Sequence, residues 1–217
     1  SNSYSLKAIS QIEVAVKSYW GNLYKYLPKP EFNGLGSSFA ESEWRHSEAY
    51  SRLLDVIGIH DFKEFCSLPI IKERINYLGA VRQSDIKDPL SFCRSMTIFS
   101  LAIENAALFS QFATILSFQR FKAVLKNVSD MISWTSKDEN IHYQAGIWLV
   151  NTVSKEYNID KKLLRESIKE DIELCARAED SIIDFIFEKG ELDFLSKEQL
   201  KDFFRFRINE ACEQIGI

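Results

Sequence analysis

Apolar side chains recur three and four positions apart along most of this chain, the spacing of one face of a helix rather than the alternation of a strand. From about Ser5 to Leu27 the pattern predicts a helix, stopped by Pro28 and Pro30. The stretch Pro30 to Ser38, with Gly34 and Gly36, reads as a short loop, and a second helix follows from about Ser38 to Ile57, ending near Gly58. Smaller helical pieces are expected at about Asp61–Ser67 and Pro69–Arg82. Pro89 suits the first turn of a long apolar helix that runs to about Phe118. Three more helices are expected at about Val128–Tyr157, Asp160–Lys189 and Ser196–Ile215, the last opened by the capping sequence Ser196-Lys-Glu-Gln199. No repeat, low-complexity run or linker interrupts the series, so residues 1–217 read as a single all-α domain.

Composition strengthens the helical reading. Only 8 glycines and 4 prolines punctuate 217 residues, far fewer than a strand-and-turn protein needs. A hydrophobic fraction of 46% supports a sizeable core, and a net charge of −4 offers no basic footprint for nucleic acid. No signal peptide and no apolar run long enough to span a bilayer stand out. The four cysteines, Cys66, Cys93, Cys175 and Cys212, are widely spaced and form no CxxC. They read as free buried thiols of a cytoplasmic protein.

Chemistry enters with the acids and histidines on otherwise apolar helix faces. Two of the three histidines fall in the same pattern, Glu43-Trp-Arg-His46 and Glu139-Asn-Ile-His142. Residues three apart share one side of a helix, so each ExxH offers a carboxylate and an imidazole to one point. Glu104 lies alone inside the apolar run Ser100-Leu-Ala-Ile-Glu104-Asn-Ala-Ala-Leu-Phe109, and Glu13 falls on the apolar stripe marked by Ile9, Val16 and Trp20. The third histidine, His60, has no partner motif and reads as a surface or helix-start residue.

A bare buried carboxylate is costly unless it is paired or bound to metal. Nothing in these helices supplies four buried cationic partners, whereas two divalent ions cancel four negative charges and two imidazoles complete the coordination. The chain order Glu, ExxH, Glu, ExxH, one element on each of four helices, is that of ferritin-like dimetal carboxylate bundles. Hard oxygen donors with one nitrogen per metal favour iron or manganese over zinc or copper. A single ExxH is usually a solvated pair, and a single acid on an apolar helix usually a boundary residue; the combination sets this chain apart.

The words around these ligands resemble the small subunit of class I ribonucleotide reductase. Ala40-Glu-Ser-Glu43-Trp-Arg-His46-Ser-Glu-Ala-Tyr50-Ser-Arg-Leu-Leu54 is similar to the family's second ligand helix, Ile103-Glu104-Asn to its third and Lys137-Asp138-Glu139-Asn-Ile-His142 to its fourth. The intervals between Glu13, Glu43, Glu104 and Glu139, 30, 61 and 35 residues, also suit it. The resemblance implies two metal ions per chain, Mn and/or Fe. Glu13, Glu43 and His46 would hold one, Glu104, Glu139 and His142 the other, with some carboxylates bridging. It places Tyr50 at the radical-bearing position and Asp138 as the acceptor of a hydrogen bond from His46 at the start of a radical-transfer path. The activity implied is generation of a radical or high-valent oxidant from an oxygen species and its transfer to a large catalytic subunit that makes deoxyribonucleotides. A homodimer is implied as well.

Several departures shape this reading. Glu13 stands where many family members have Asp, as in branches that store the oxidant on manganese-containing centres, and Tyr50 is then redox-silent. Leu108 and Phe112 match the apolar pocket around the family's tyrosine, while Thr135 is polar. The family's N-terminal tryptophan and its C-terminal tail are not represented, so the sequence is expected to be a piece of a longer chain. Trp20, Trp44, Trp134 and Trp148 are assigned to core packing. The alternative is a ferritin-like dimetal oxidase acting on its own small or lipid substrate; an iron store or purely structural bundle is the remaining rival.

Overall fold

The computed structural model describes residues 2–82 and 86–217, and the side chains of all of these except 2, 13–17 and 78–82. The described residues are helical almost throughout: α1 (Asn2–Gly21), α2 (Leu23–Tyr26), α3 (Pro30–Val56), α4 (Phe62–Ser67), α5 (Pro69–Arg82), α6 (Pro89–Met96), a π-helical segment (Thr97–Ala107), α7 (Leu108–Lys122), α8 (Lys126–Glu156), α9 (Lys161–Ile186) and α10 (Lys197–Gln214). Capping chemistry sets several of the starts. Asp88 accepts from the Ser91 amide ahead of Pro89, and Ser196 and Gln199 close a reciprocal capping box on α10.

The second helix begins earlier than the glycines suggested. The expected loop from Pro30 to Ser38 is the first part of α3, with Pro30 in the first turn and Glu31 beside the positive end of the helix dipole. Gly36 is there for proximity rather than for turning: a Cβ at this position would collide with the Trp20 carbonyl oxygen. Its absence lets α3 lie directly on α1.

Residues 89–122 form one long rod whose middle is wound more loosely than its ends. All eleven residues of the π-helical segment are buried. The rod is long and apolar enough to cross a bilayer by length and composition, a feature the sequence reading overlooked, but 89% of its apolar window is buried against the other helices. Helix α8 approaches it closely at Gly146, where a Cβ would strike the Ser100 side chain.

The main core joins α1, α3, the rod and α8, with α9 and α10 closing the far side of the π-helical segment; Trp20, Tyr50, Phe112 and Phe204 are among its fully buried members. A smaller apolar cluster links Ala8, Phe65 and Ile71 with Ile182, Ile186 and Leu200. Arg207 of α10 grips the π-helical segment through Asn105: its Nε donates to the Asn105 carbonyl at 3.3 Å, its guanidinium also reaches Asn105 Oδ1, and Asn105 Nδ2 donates back to the Arg207 carbonyl at 3.3 Å.

Three of the four tryptophans are more than half exposed, Trp44, Trp134 and Trp148, contrary to the core role expected of them; only Trp20 is interior. Trp44 follows Glu43 by one residue, so when Glu43 faces inward Trp44 is turned about 100° away. Of the four free cysteines, Cys93 and Cys175 are buried, whereas Cys66 and Cys212 are half-buried at the edge of the packing.

Candidate metal centre

Two helices deliver the ExxH elements as continuous inward stripes. On α3 the buried positions include Phe39, Ser42, Glu43, His46, Tyr50 and Leu54, and on α8 they include Thr135, Glu139, His142 and Gly146. Three- and four-residue steps keep each set on one face, so both motifs enter the same interior. Glu104 arrives from the π-helical segment, and Glu43, Glu104 and Glu139 are all fully buried.

The two ExxH elements do not act as separate pairs. Glu43 places Oε1 2.7 Å from His142 Nδ1 and Oε2 3.8 Å from His46 Nδ1. Glu139 repeats the arrangement in the opposite sense, Oε1 3.0 Å from His46 Nδ1 and Oε2 3.4 Å from His142 Nδ1. Each carboxylate therefore spans both imidazoles, and each imidazole turns Nδ1 towards both carboxylates. Ligand atoms of Glu43, Glu104, Glu139 and His142 all lie within 4.8 Å of one another.

The outer nitrogen of His46 is also held. Nε2 lies 3.1 Å from Asp138 Oδ2, and the Ser42 hydroxyl donates to the same oxygen at 3.4 Å. The Asp138 side chain is 39% exposed, so this contact joins the buried cluster to solvent. On the neighbouring turn of α3 the fully buried Tyr50 donates its hydroxyl to Thr135 Oγ1 at 3.2 Å, and Thr135 donates on to the Met131 carbonyl. Leu108 and Phe112 are buried in the same core. His60 is exposed and away from the centre, near Asp55. The Glu13 carboxylate lies outside the described residues, although its helix, α1, packs beside α3.

Electrostatics show what the cluster needs. Burial pushes the Glu104 carboxyl well above its ordinary value, and the negative charges of Glu43 and Glu139 add to the shift. Burial pulls His142 down, but hydrogen bonds that its N–H donates to Glu139 and Glu43 outweigh it and push the imidazole up to about 11. Without metal, protons thus serve as the counter-charges. Glu104 Oε2 accepts no hydrogen bond from any described residue, and the Glu139 oxygens face only the two imidazole nitrogens. Buried acceptor oxygens of this kind, facing imidazole nitrogens, fit a pair of hard divalent cations. The buried cations of the described residues are engaged elsewhere: Lys7 with Asp61, and Arg74 with Glu179 at 2.8 Å.

The sequence did not point to Glu179, nor to a polar role for Trp20, which it placed only in the core. Glu179 is buried, but its charge is answered by Arg74. It sits on an apolar stripe of α9 with Cys175, Ala178, Ile182, Ile183 and Ile186, which was the available signal. Trp20, seven residues after Glu13, points its indole N–H at Glu104 Oε1 at 2.8 Å.

An all-α bundle around a buried carboxylate and histidine cage defines a ferritin-like protein of the dimetal carboxylate kind. Residues 2–217 match the family described as ribonucleotide reductase, small chain, and the chain belongs to that family. It is similar, at 23% identity over 232 residues, to a probable ribonucleoside-diphosphate reductase small subunit of Invertebrate iridescent virus 3, the match covering 97% of this chain and 61% of that protein. A second such subunit, from Invertebrate iridescent virus 6, is 25% identical over 217 residues, covering 89% of this chain and 60% of the relative. The chain thus spans about three fifths of the length of these curated relatives, 61% and 60%. Among solved structures, two variants of an R2-like ligand-binding oxidase with an anaerobically reconstituted Mn/Fe cofactor share the fold. One has a TM-score of 0.79 at 19% identity and the other 0.81 at 18%, each covering 99% of this chain and 79% of the oxidase.

Proposed function

We propose that this chain is the metal-bearing small subunit of a class I ribonucleotide reductase, holding two ions, Mn and/or Fe, and passing an oxidising equivalent to a separate large subunit that reduces ribonucleoside diphosphates. The observation that carries this reading is the span of Glu43 and Glu139, each reaching both His46 and His142. That geometry suits two carboxylates shared between two ions, each ion with one imidazole. In this reading Glu13, Glu43 and His46 serve one ion, and Glu104, Glu139 and His142 the other.

Such a metal pair supplies one-electron oxidising power drawn from an oxygen species. The protein's part is geometric and electrostatic. Helices α3 and α8 fix the shared carboxylates, and the apolar core keeps water from a strong oxidant. Asp138, fixed by Ser42, holds the His46 ring with Nδ1 inward and forms the solvent-facing end of the transfer path. Tyr50 stands at the radical-bearing position with its phenolic proton directed at Thr135, and the oxidising equivalent is held there or on the metals. The active assembly is a homodimer with the large subunit bound.

The test is metal analysis and electron paramagnetic resonance on protein exposed to oxygen after anaerobic loading, followed by a reductase assay with the large subunit of the same source. Two ions per chain, an oxidised signal and deoxyribonucleotide formation only in the presence of the large subunit are expected. A chain that never takes up two ions sinks the reading. The second reading, a self-contained dimetal oxidase, draws support from the fold shared with R2-like ligand-binding oxidases. Turnover of a small or lipid substrate without any partner would favour it.

A further inference from the structure

We propose that Trp20 is a positioning residue that commits Glu104 to binding metal through one oxygen, an assignment that rests on the dimetal reading above. An indole N–H donates and never accepts, so its buried hydrogen bond needs a fixed acceptor. Here that acceptor is Glu104 Oε1, at 2.8 Å, with both residues fully buried. The other oxygen, Oε2, accepts no hydrogen bond from any described residue and remains for a cation. Glu43 and Glu139 differ, each offering both oxygens to the two imidazoles.

The indole has little freedom to let Glu104 turn. Its ring meets Phe39 edge-on at 4.9 Å between centroids and Phe99 at 5.8 Å, and His142 lies 5.8 Å away. Its backbone is fixed by the close passage of α3 at Gly36. A donor held this firmly, from a helix other than the one carrying the ligand, orients the carboxylate before any ion arrives. Outer partners of metal ligands change affinity by roughly 10- to 100-fold when removed.

The test uses the full chain and Mn(II) alone, titrated anaerobically with free Mn(II) counted by its paramagnetic resonance. Trp20→Phe keeps a ring in the pocket and deletes only the donor. Wild type is expected to bind two ions, and W20F to bind one of them about 10- to 100-fold more weakly with the other unchanged. Because Trp20 acts through Glu104, W20F combined with Glu104→Gln is expected to bind no more weakly than E104Q alone. Wild-type fluorescence supplies a second readout, needing no variant: acrylamide silences the exposed Trp44, Trp134 and Trp148, and Mn(II) is expected to quench the shielded emission that remains. A W20F isotherm that superimposes on wild type overturns this assignment alone. So does an additive double variant, which would mark Trp20 as packing only, or shielded emission that ignores Mn(II). A wild-type chain that binds no Mn(II) overturns the dimetal reading and this assignment together.

Discussion

Glu43 Oε1 lies 2.7 Å from His142 Nδ1, closer than Glu43 stands to the histidine of its own motif. The ExxH elements are therefore interleaved: each carboxylate serves the other helix's imidazole as well as its own. Four helices carry the acids, but the exchange between α3 and α8 turns two separate half-sites into one cage.

Removing one shared carboxylate should cost more than half of the centre. Glu139→Gln is expected to lower bound metal from two ions to one or none per chain, measured by elemental analysis after anaerobic loading. Glu179→Gln, equally interior but paired with Arg74, should keep both ions. Equal metal content in E139Q and wild type would remove Glu139 from the cage.

The protonated cage gives the metal-free chain an inverted response to pH. His142, raised from 6.5 to about 11, contributes stability that is fully present below its unfolded value and fades as pH climbs towards about 11. Glu104, raised above its ordinary 4.5, has the same sign: its contribution is present in acid and lost as pH rises through the folded value. With a chelator present, the melting temperature is expected to fall between pH 6 and pH 9. Metal uptake at pH 7 should release protons, measurable with a weakly buffered indicator. A metal-free chain that becomes more stable across that interval contradicts this account.

Arg74 and Glu179 form a buried ion pair at 2.8 Å, with the Arg74 guanidinium also donating to the Ala8 carbonyl at 3.2 Å. Burial raises the Glu179 carboxyl, and Arg74 opposes the shift without cancelling it. Arg74→Met strands a charge and is expected to destabilise by about 3–5 kcal/mol in urea unfolding. Adding Glu179→Leu should recover most of the loss, since an apolar replacement of the whole pair is often neutral. Failure to recover would give the pair a role beyond mutual neutralisation.

Gly36→Ala drives a methyl into the Trp20 carbonyl and should force α3 away from α1. A destabilisation of about 1–3 kcal/mol is expected, as for other overpacked cores. Mn(II) affinity should drop with it, because Trp20 and Glu43 sit on the two separated helices. Thermal melts with and without metal measure both effects.

The buried carboxylate and imidazole cluster was legible because carboxylates on apolar faces contradict the cost of burying charge. Glu43, His46, Glu104, Glu139 and His142 each stood out against greasy neighbours, and helix spacing placed the ExxH pairs. Gly36 misled, since a glycine marks either a turn or a close contact, and only the neighbouring Trp20 backbone decides which; Gly34 faces open space inside the same helix. Glu179 was hidden among the many charges of α9, where the stripe of isoleucines was the only guide to the inward direction. The π-helical winding of residues 97–107, where α8, α9 and α10 pack against the rod, left no mark in the sequence.

That loosened winding has an evolutionary and engineering corollary. Because the rod changes pitch between its two ordinary ends, the rotational aim of Glu104 is decoupled from the packing of the residues before and after it. Deleting residues between Thr97 and Glu104 would let the stretch tighten towards an ordinary helix while the flanks stay seated, swinging the ligand off target. Insertions and deletions there become a dial for retiring or restoring the cofactor without rebuilding the bundle.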